Sequence, residues 1–137
     1  SLIRYGDKGK AVKEAQELLI AAGYDIGIMG ADGIFGSRTT NAVLEFQRDH
    51  KIAVDGIIGP VTMGKLKKYN SYRRYPGKLI RKGSRGHYVK VVQARVGAKV
   101  DGIFGPETER KVREFQQMRG VGVDGIVGPV TWKEIFE

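Results

Sequence analysis

Four aspartates in this 137-residue chain directly precede a glycine: Asp32, Asp55, Asp101 and Asp124. Two carboxylates on either side of one bond are the chemistry of a glycoside hydrolase, in which one is the acid and the other the nucleophile or base. An aspartate beside glycine has a second use, because its side chain accepts hydrogen bonds from backbone amides in a tight turn. Since all four share this setting, we expect them to shape turns and not to cleave bonds.

Other residue types that carry chemistry are scarce. There is no cysteine, and the two histidines, His50 and His87, fall at unrelated positions, so they do not supply the ligands of a zinc site. A calcium loop needs several oxygen ligands at alternating positions, whereas each Asp-Gly turn offers one carboxylate. We expect no catalytic residue, no metal site and no cofactor. His50 is expected at the surface, and His87 in a loop that could touch a ligand.

The turns belong to an internal repeat. Asp-Gly-Ile-Phe-Gly-x-x-Thr begins at Asp32 and at Asp101, and each copy is followed by Asp-Gly-Ile-x-Gly-Pro-Val-Thr. Downstream of Asp32, matching residues lie 69 positions apart, but upstream of it the offset is 77. The difference predicts a longer loop at residues 23–31 of the first copy, because loops absorb insertions. The chain therefore divides into a first repeat, a linker and a second repeat, at residues 1–68, 69–78 and 79–137.

Apolar residues recur with a helical period in each repeat. Val12, Ala15 and Leu19 lie at i, i+3 and i+7 before the first turn, and the second repeat has the same pattern. A second helix begins at Ser37 or at Pro106, and a short third helix begins with the proline that follows the second turn. We predict an all-α fold of two tandem three-helix domains, each with its own small core, joined by a short basic linker.

The residues of the turns are predicted to be structural. They are the Asp-Gly pairs and the Phe-Gly pairs of the first turns: Asp32, Gly33, Phe35, Gly36, Asp55, Gly56, Asp101, Gly102, Phe104, Gly105, Asp124 and Gly125. Four glutamines lie on or beside the apolar stripes: Gln16, Gln47, Gln93 and Gln116. A buried amide without a partner costs roughly 1–3 kcal/mol, so we expect at least some of these glutamines to be buried and hydrogen-bonded to the turn backbone.

The net charge of +9 is unevenly distributed. Residues 1–66 are balanced, whereas residues 67–78 hold five basic and no acidic residues together with three tyrosines, which we expect to pack on the domains. This linker could contact phosphates and stack on bases, so nucleic-acid binding is the alternative function. Nucleic-acid binding by the linker would leave the first repeat, whose residues 1–66 carry no net charge, without a role in binding. No apolar run approaches the roughly 20 residues that span a membrane, and the first residues predict a mature fragment.

Each repeat carries, in order, Gly-x-x-Gly-x-x-Val-x-x-x-Gln, Asp-Gly-x-Phe-Gly-x-x-Thr, Phe-Gln and Asp-Gly-x-x-Gly-Pro-x-Thr. This series resembles the type 1 peptidoglycan-binding domain family. The resemblance implies a three-helix domain that is not itself catalytic and that holds a linked cell-wall hydrolase, such as a phage endolysin or an autolysin, on its polymer. The first repeat departs from the family in two ways: Met63 stands where the family usually has tryptophan, and its first inter-helix loop is longer. These departures imply weaker binding by the first repeat.

The resemblance also implies where the protein acts. Its partner is bacterial peptidoglycan. Residues 67–137, which hold 16 basic and 7 acidic residues, add attraction to the anionic wall polymers of Gram-positive bacteria. The place of action is the cell wall or the cell exterior, or the protein is released from phage-infected cytoplasm at lysis.

Recognition of a glycan or its stem peptide needs solvent-facing aromatic, amide and guanidinium groups. The loop that opens each repeat and the start of helix two offer them. The candidates are Tyr5, Asp7, Lys8 and Arg38 in the first repeat, and Lys82, Ser84, Arg85, His87, Tyr88 and Arg110 in the second. Free backbone amides at the start of helix two suit a stem-peptide carboxylate.

Overall fold

The computed structural model describes residues 2–137. Over that range the chain forms six α-helices and one 3₁₀ helix. They are α1 (Lys10–Ala21), α2 (Ser37–Asp49), α3 (Pro60–Lys67), the 3₁₀ helix (Asn70–Arg73), α4 (His87–Val96), α5 (Pro106–Arg119) and α6 (Pro129–Ile135). Each repeat contributes three α-helices separated by two turns, so the predicted all-α fold of two three-helix repeats is confirmed. None of these helices combines the length and apolar character that crossing a membrane requires.

The helix boundaries follow from local chemistry. Proline occupies the first turn of α3, α5 and α6, where its fixed φ suits a helix and its missing N–H costs no hydrogen bond. Gly97 ends α4 in the left-handed conformation, with φ 82°, as a helix-terminating glycine does. In the first repeat α1 ends at Ala21, and Gly23 then leads into the longer loop with φ 91°.

The buried apolar side chains of both repeats form one continuous cluster. Phe35, Phe46, Phe104 and Phe115 are all within it. Helix α1 packs against α4 across the junction between the repeats, and both helices bury residues on more than one face. The expectation of two separate small cores is therefore wrong. A repeat of this size buries a smaller fraction of its surface alone than two repeats bury together.

The linker folds over this junction. Tyr69, Tyr72 and Tyr75 pack against the common core, as expected from the sequence. Arg73 joins the two repeats: its Nη1 donates to Glu17 Oε1 of α1 at 2.9 Å, and its carbonyl accepts from Trp132 Nε1 of α6 at 3.0 Å. The linker is therefore part of the packed structure.

Candidate functional site

A buried glutamine fastens each of the four turns. Gln116 of α5 has three acceptors around its Nε2: Asp124 Oδ1 at 2.9 Å, and Ile126 O and Thr131 Oγ1 at 3.1 Å each. Its Oε1 accepts from the backbone N–H groups of Asp124 at 3.0 Å and Gly125 at 2.9 Å. Gln47 and Gln93 hold the same set of five contacts in their turns. Gln16 holds four of them, because Asp32 N donates to Gly30 O instead. The prediction that at least some of these amides are buried and bonded to turn backbone is confirmed, and the structure extends it to all four.

The turn aspartates engage their own backbone. In each turn Oδ1 accepts the N–H of the isoleucine two residues later, at 2.9–3.0 Å. The glycine between them has φ between 74° and 79°, a conformation that favours glycine. Each carboxylate is thus held by one backbone amide and one glutamine amide. This geometry shapes a turn.

Hydrogen bonds lower the pKa of three turn aspartates. For Asp55 and Asp101 the largest cause is the isoleucine N–H, followed by the glutamine amide. For Asp124 the glutamine amide contributes most and the isoleucine N–H follows. Donors of this kind favour the charged carboxylate over the protonated one, which is why the pKa falls.

The fold is expected to lose stability in acid. The pKa of these carboxylates is lower in the folded state than the value of about 3.9 in the unfolded chain. Their contribution is therefore complete above that value and is lost as the pH falls through the folded-state pKa. We expect the midpoint of urea denaturation to decrease below about pH 4. Asp124→Asn should show a flatter acid profile, whereas the exposed control Glu14→Gln should keep the wild-type profile. An Asp124→Asn profile as steep as wild type contradicts the assignment.

The opening loops, residues 4–9 and 81–86, lie against the first turns, residues 32–36 and 101–105. In the first repeat Gly6 N donates to Phe35 O, and Phe35 N donates to Asp7 O, both at 2.9 Å. The second repeat forms the same pair of bonds at 2.9 and 3.0 Å. A short antiparallel pairing therefore holds each opening loop beside its turn, at an equivalent place in the two repeats.

The first repeat presents two of its candidate residues together. Tyr5 is 68% exposed, and Lys8 is exposed in the same loop. Asp7 Oδ2 accepts a backbone N–H of this loop at 3.0 Å, so it orders the loop. Arg38 is elsewhere: it lies on α2, with its Nη2 3.5 Å from Asp25 Oδ1, and it lines a groove at the junction between the repeats.

The second repeat presents an equivalent pair. Lys82 and Arg85 are exposed in the opening loop, and Ser84 Oγ accepts a backbone N–H of that loop at 3.0 Å, as Asp7 does in the first repeat. Arg110 is exposed on α5, and its Nη1 lies 3.0 Å from Glu114 Oε2. The shared feature of the repeats is thus an ordered loop with exposed long side chains.

The other two candidates, His87 and Tyr88, are half-buried at the junction. His87 Nε2 hydrogen-bonds to Ala21 O of α1 at 2.7 Å, and its ring centroid lies 4.1 Å from that of Tyr72. The ring of Tyr88 lies 5.0 Å from Tyr72 and 5.8 Å from Trp132. Both side chains therefore join the second repeat to the linker.

The expectation that His50 lies at the surface is wrong. The side chain is half-buried, because Nδ1 contacts Phe46 O and Nε2 contacts the hydroxyl of Tyr69, each at 2.9 Å. Its ring stacks on Phe46 with centroids 3.9 Å apart. His50 thus anchors the start of the linker. Within residues 2–137, no three side chains of His, Asp or Glu gather as a metal site.

Arg95 of α4, which no sequence motif marks as functional, lies at the centre of the junction and is 3% exposed. Its Nε donates to Ile135 O at 2.9 Å, and its Nη1 donates to Ile28 O at 3.0 Å. The guanidinium lies 4.8 Å from the ring centroid of Phe115. Burial, followed by the nearby Arg119, lowers the pKa of Arg95 to about 10. Ile28 belongs to the longer loop at residues 23–31. This insertion, which the second repeat lacks, was the one feature of the sequence connected with the contact between Ile28 and Arg95.

Two helical repeats with glutamine-fastened turns and duplicated, ordered surface loops define a small binding module. Residues 8–66 and 85–135 each match the protein family described as "Putative peptidoglycan binding domain". The chain belongs to this peptidoglycan-binding domain family and contains a tandem pair of its domains, as the sequence motifs predicted. The family match gives no support to the nucleic-acid alternative, and the linker tyrosines that would stack on bases are packed on the core.

Known relatives include two amidases of Bacillus licheniformis. N-acetylmuramoyl-L-alanine amidase CwlL is 33% identical over a comparison 148 residues long, gaps included. The matched region covers 88% of this chain and 41% of that protein. A probable N-acetylmuramoyl-L-alanine amidase is 32% identical over a comparison 143 residues long, gaps included, and the matched region covers 88% of this chain and 40% of that protein. The solved SleB N-terminal domain is 35% identical, with 50% of this chain and 90% of that chain covered and a TM-score of 0.47. The chain thus spans about two-fifths of the length of these amidases.

Proposed function

We propose that this chain is the noncatalytic wall-binding module of a larger cell-wall hydrolase, an autolysin or a phage endolysin. Its two repeats hold the linked catalytic domain on peptidoglycan. The observation that carries the proposal is the match of the peptidoglycan-binding family to both repeats. The amidase relatives support it, because they are more than twice as long as the segment that this chain matches. The parent enzyme would act at the cell wall, reached by export or by lysis of a phage-infected cell.

The opening loops are the proposed contact with the wall. Tyr5 and Lys8 in the first repeat and Lys82 and Arg85 in the second are exposed on loops that backbone hydrogen bonds order. An aromatic ring can pack on the apolar face of a sugar, and ammonium and guanidinium groups can bind hydroxyl, acetamido and carboxylate oxygens. Two weak sites on one repeating polymer raise each other's effective concentration, so the pair binds more tightly than either site.

The basic linker is proposed to add attraction to anionic wall polymers. Arg74 and Lys78 of the linker are exposed, as are Lys67 and Lys68 immediately before it, whereas Arg73 is paired with Glu17. Exposed charges attract phosphate-bearing polymers over about 8–10 Å at physiological ionic strength. The electrostatic part of wall binding should therefore decrease as salt is added. Binding to walls from which the anionic polymers have been removed should not depend on salt.

The opening loops are expected to control sedimentation with purified sacculi. Replacement of one pair, Tyr5→Ala with Lys8→Ala or Lys82→Ala with Arg85→Ala, should weaken apparent affinity at least about tenfold, because avidity requires both sites. The fourfold variant should lose most binding. The measurement is pull-down on intact sacculi, on sacculi stripped of anionic polymers and on DNA-cellulose.

The matched control is Arg48→Ala with Lys133→Ala, which removes two exposed positive charges outside the opening loops. It should sediment as the wild type does. If the folded fourfold variant sediments equally well, the contact surface lies elsewhere; if folded wild-type protein does not sediment at all, the proposed function is wrong. Turbidity of the sacculus suspension should stay constant, since a decrease would reveal hydrolysis.

A further inference from the structure

A groove of about 290 Å³ lies at the junction between the repeats. Asp25, Ile28 and Arg38 line it from the first repeat, and side chains of α4 and α5 line it from the second. The groove is formed once per pair of repeats, because part of one wall is the longer loop at residues 23–31. The sequence is asymmetric in the same way: the positions equivalent to Arg38 and Lys111 hold Glu107 and Ala42.

Charges of both signs face this groove. Arg38, Arg95 and Lys111 are basic, and Asp25 and Glu114 are acidic. Two of the ion pairs within the groove are long: Arg38 Nη2 lies 3.5 Å from Asp25 Oδ1, and Lys111 Nζ lies 3.8 Å from Glu114 Oε1. Glu114 Oε2 also lies 3.0 Å from Arg110 Nη1, outside the groove lining. Partly exposed ion pairs of this kind contribute at most about 1 kcal/mol. A ligand with its own charged groups can therefore exchange with them at little cost.

The buried charge of Arg95 makes one side of the groove positive. Its two hydrogen-bonded acceptors are backbone carbonyls, and among residues 2–137 no carboxylate lies within 4.0 Å of its guanidinium. Its Nη2 is buried and has no hydrogen-bond partner over the same range. The carboxylates of Asp25 and Glu134 offset part of the charge of Arg95. The remaining charge, in low-dielectric surroundings, acts at longer range than a solvated one, so it favours an anionic group in the neighbouring groove.

The apolar part of the groove is partly open to solvent. Phe115 and Val96 line it, together with Ile28 and Met118, which are 66% and 49% exposed. These side chains could cover small apolar groups such as the methyl of alanine. A groove of this volume is at the lower end of small-molecule sites and accommodates about one or two amino-acid residues.

We propose that this groove binds a zwitterionic peptide segment of alanine and a diamino acid, the chemistry that a peptidoglycan stem peptide presents. Its carboxylate lies towards Arg38 and Lys111, and its ammonium towards Asp25 and Glu114. The alanine methyl groups pack on Phe115 and its apolar neighbours. The inference rests on the proposed function and specifies it further: the opening loops hold the polymer in two places, and the junction reads the peptide once.

The test uses the full chain and a free tetrapeptide that an amidase releases from sacculi. Titration into isotopically labelled protein should shift the backbone amide signals of Arg38, Lys111 and their neighbours. Arg38→Ala with Lys111→Ala should weaken the peptide affinity at least about tenfold, because each removes a charge-assisted hydrogen bond. Acetylation of the peptide's amino groups should also weaken binding, since it removes the ammonium.

The matched control is again Arg48→Ala with Lys133→Ala, which should bind the tetrapeptide as the wild type does. Circular dichroism establishes that both double variants are folded. Equal peptide affinity of the groove variant and the wild type overturns the inference, as do signal shifts confined to the opening loops. Wild-type protein that sediments with sacculi but does not bind the peptide also overturns it and leaves the proposed function intact. Failure to sediment with sacculi contradicts the proposed function instead.

Discussion

Replacement of Trp132 with alanine is expected to lower the free energy of unfolding by about 3–5 kcal/mol, the range measured for large aromatic side chains in protein cores. Trp132 is 4% exposed. Its ring centroid lies 5.7 Å from Phe136, 5.8 Å from Tyr88 and 6.2 Å from Tyr75, so alanine leaves a cavity where α6 meets the linker and α4. The measurement is urea denaturation followed by far-ultraviolet circular dichroism, since the variant lacks the chain's one tryptophan.

Trp132→Phe separates packing from hydrogen bonding. Phenylalanine keeps most of the apolar contact but cannot donate to Arg73 O, so a loss of about 1 kcal/mol is expected. A Trp132→Ala variant as stable as wild type contradicts the role of this residue at the junction. Because the indole is buried, Trp132→Phe should sediment with sacculi as the wild type does. Met63, at the equivalent position of the first repeat, is half-buried and lacks this hydrogen bond.

Gln116→Leu is expected to lower the free energy of unfolding by about 2–4 kcal/mol. Leucine has a similar volume but accepts no hydrogen bond, so the N–H groups of Asp124 and Gly125 lose their acceptor. An unpaired donor costs roughly 1–3 kcal/mol when it is buried, and Asp124 also loses a donor to its carboxylate. The measurement is the same denaturation experiment, at pH 7, where the turn carboxylates are charged.

The adjacent residue provides the matched control. Gln117 is exposed on α5, so Gln117→Leu changes the same chemical groups without breaking the turn network. Its effect should stay within about 0.5 kcal/mol, as for most surface substitutions. If the two variants are equally stable, the glutamine does not hold the turn. Amide hydrogen exchange should also show faster exchange at Gly125 in Gln116→Leu and an unchanged rate in Gln117→Leu.

The repeats, their helices and their turns could be predicted because the responsible contacts are close in the chain. Gln116 and Asp124 are eight residues apart, and the amide bound by each turn aspartate is two residues away. Proline and glycine mark the helix ends through their own backbone preferences. The glutamines lie on or beside the apolar stripes, which indicates burial. A buried amide requires hydrogen-bond partners, so their bonds to the turn backbone could be expected as well.

The candidate binding residues were predictable only as a group of exposed loop side chains. The structure keeps Tyr5 and Lys8 together, and Lys82 and Arg85 together, because backbone pairing orders each opening loop. It separates the others: Arg38 lies at the groove between the repeats, whereas His87 and Tyr88 pack into the junction. No local pattern distinguishes a loop residue that faces solvent from one that contacts another repeat.

How the two repeats pack was decided by tertiary structure alone. Arg95 contacts Ile28 across 67 positions, His87 contacts Ala21 across 66, and Trp132 contacts Arg73 across 59. A helical period reveals one buried face, but it does not reveal whether a second face is covered by another part of the chain. A buried arginine is equally hidden, because backbone carbonyls accept its hydrogen bonds and every residue has one. The sequence by itself therefore determined the helices and turns of each repeat, because their contacts are local. The common core was decided by tertiary structure, because it depends on contacts between residues far apart in the chain.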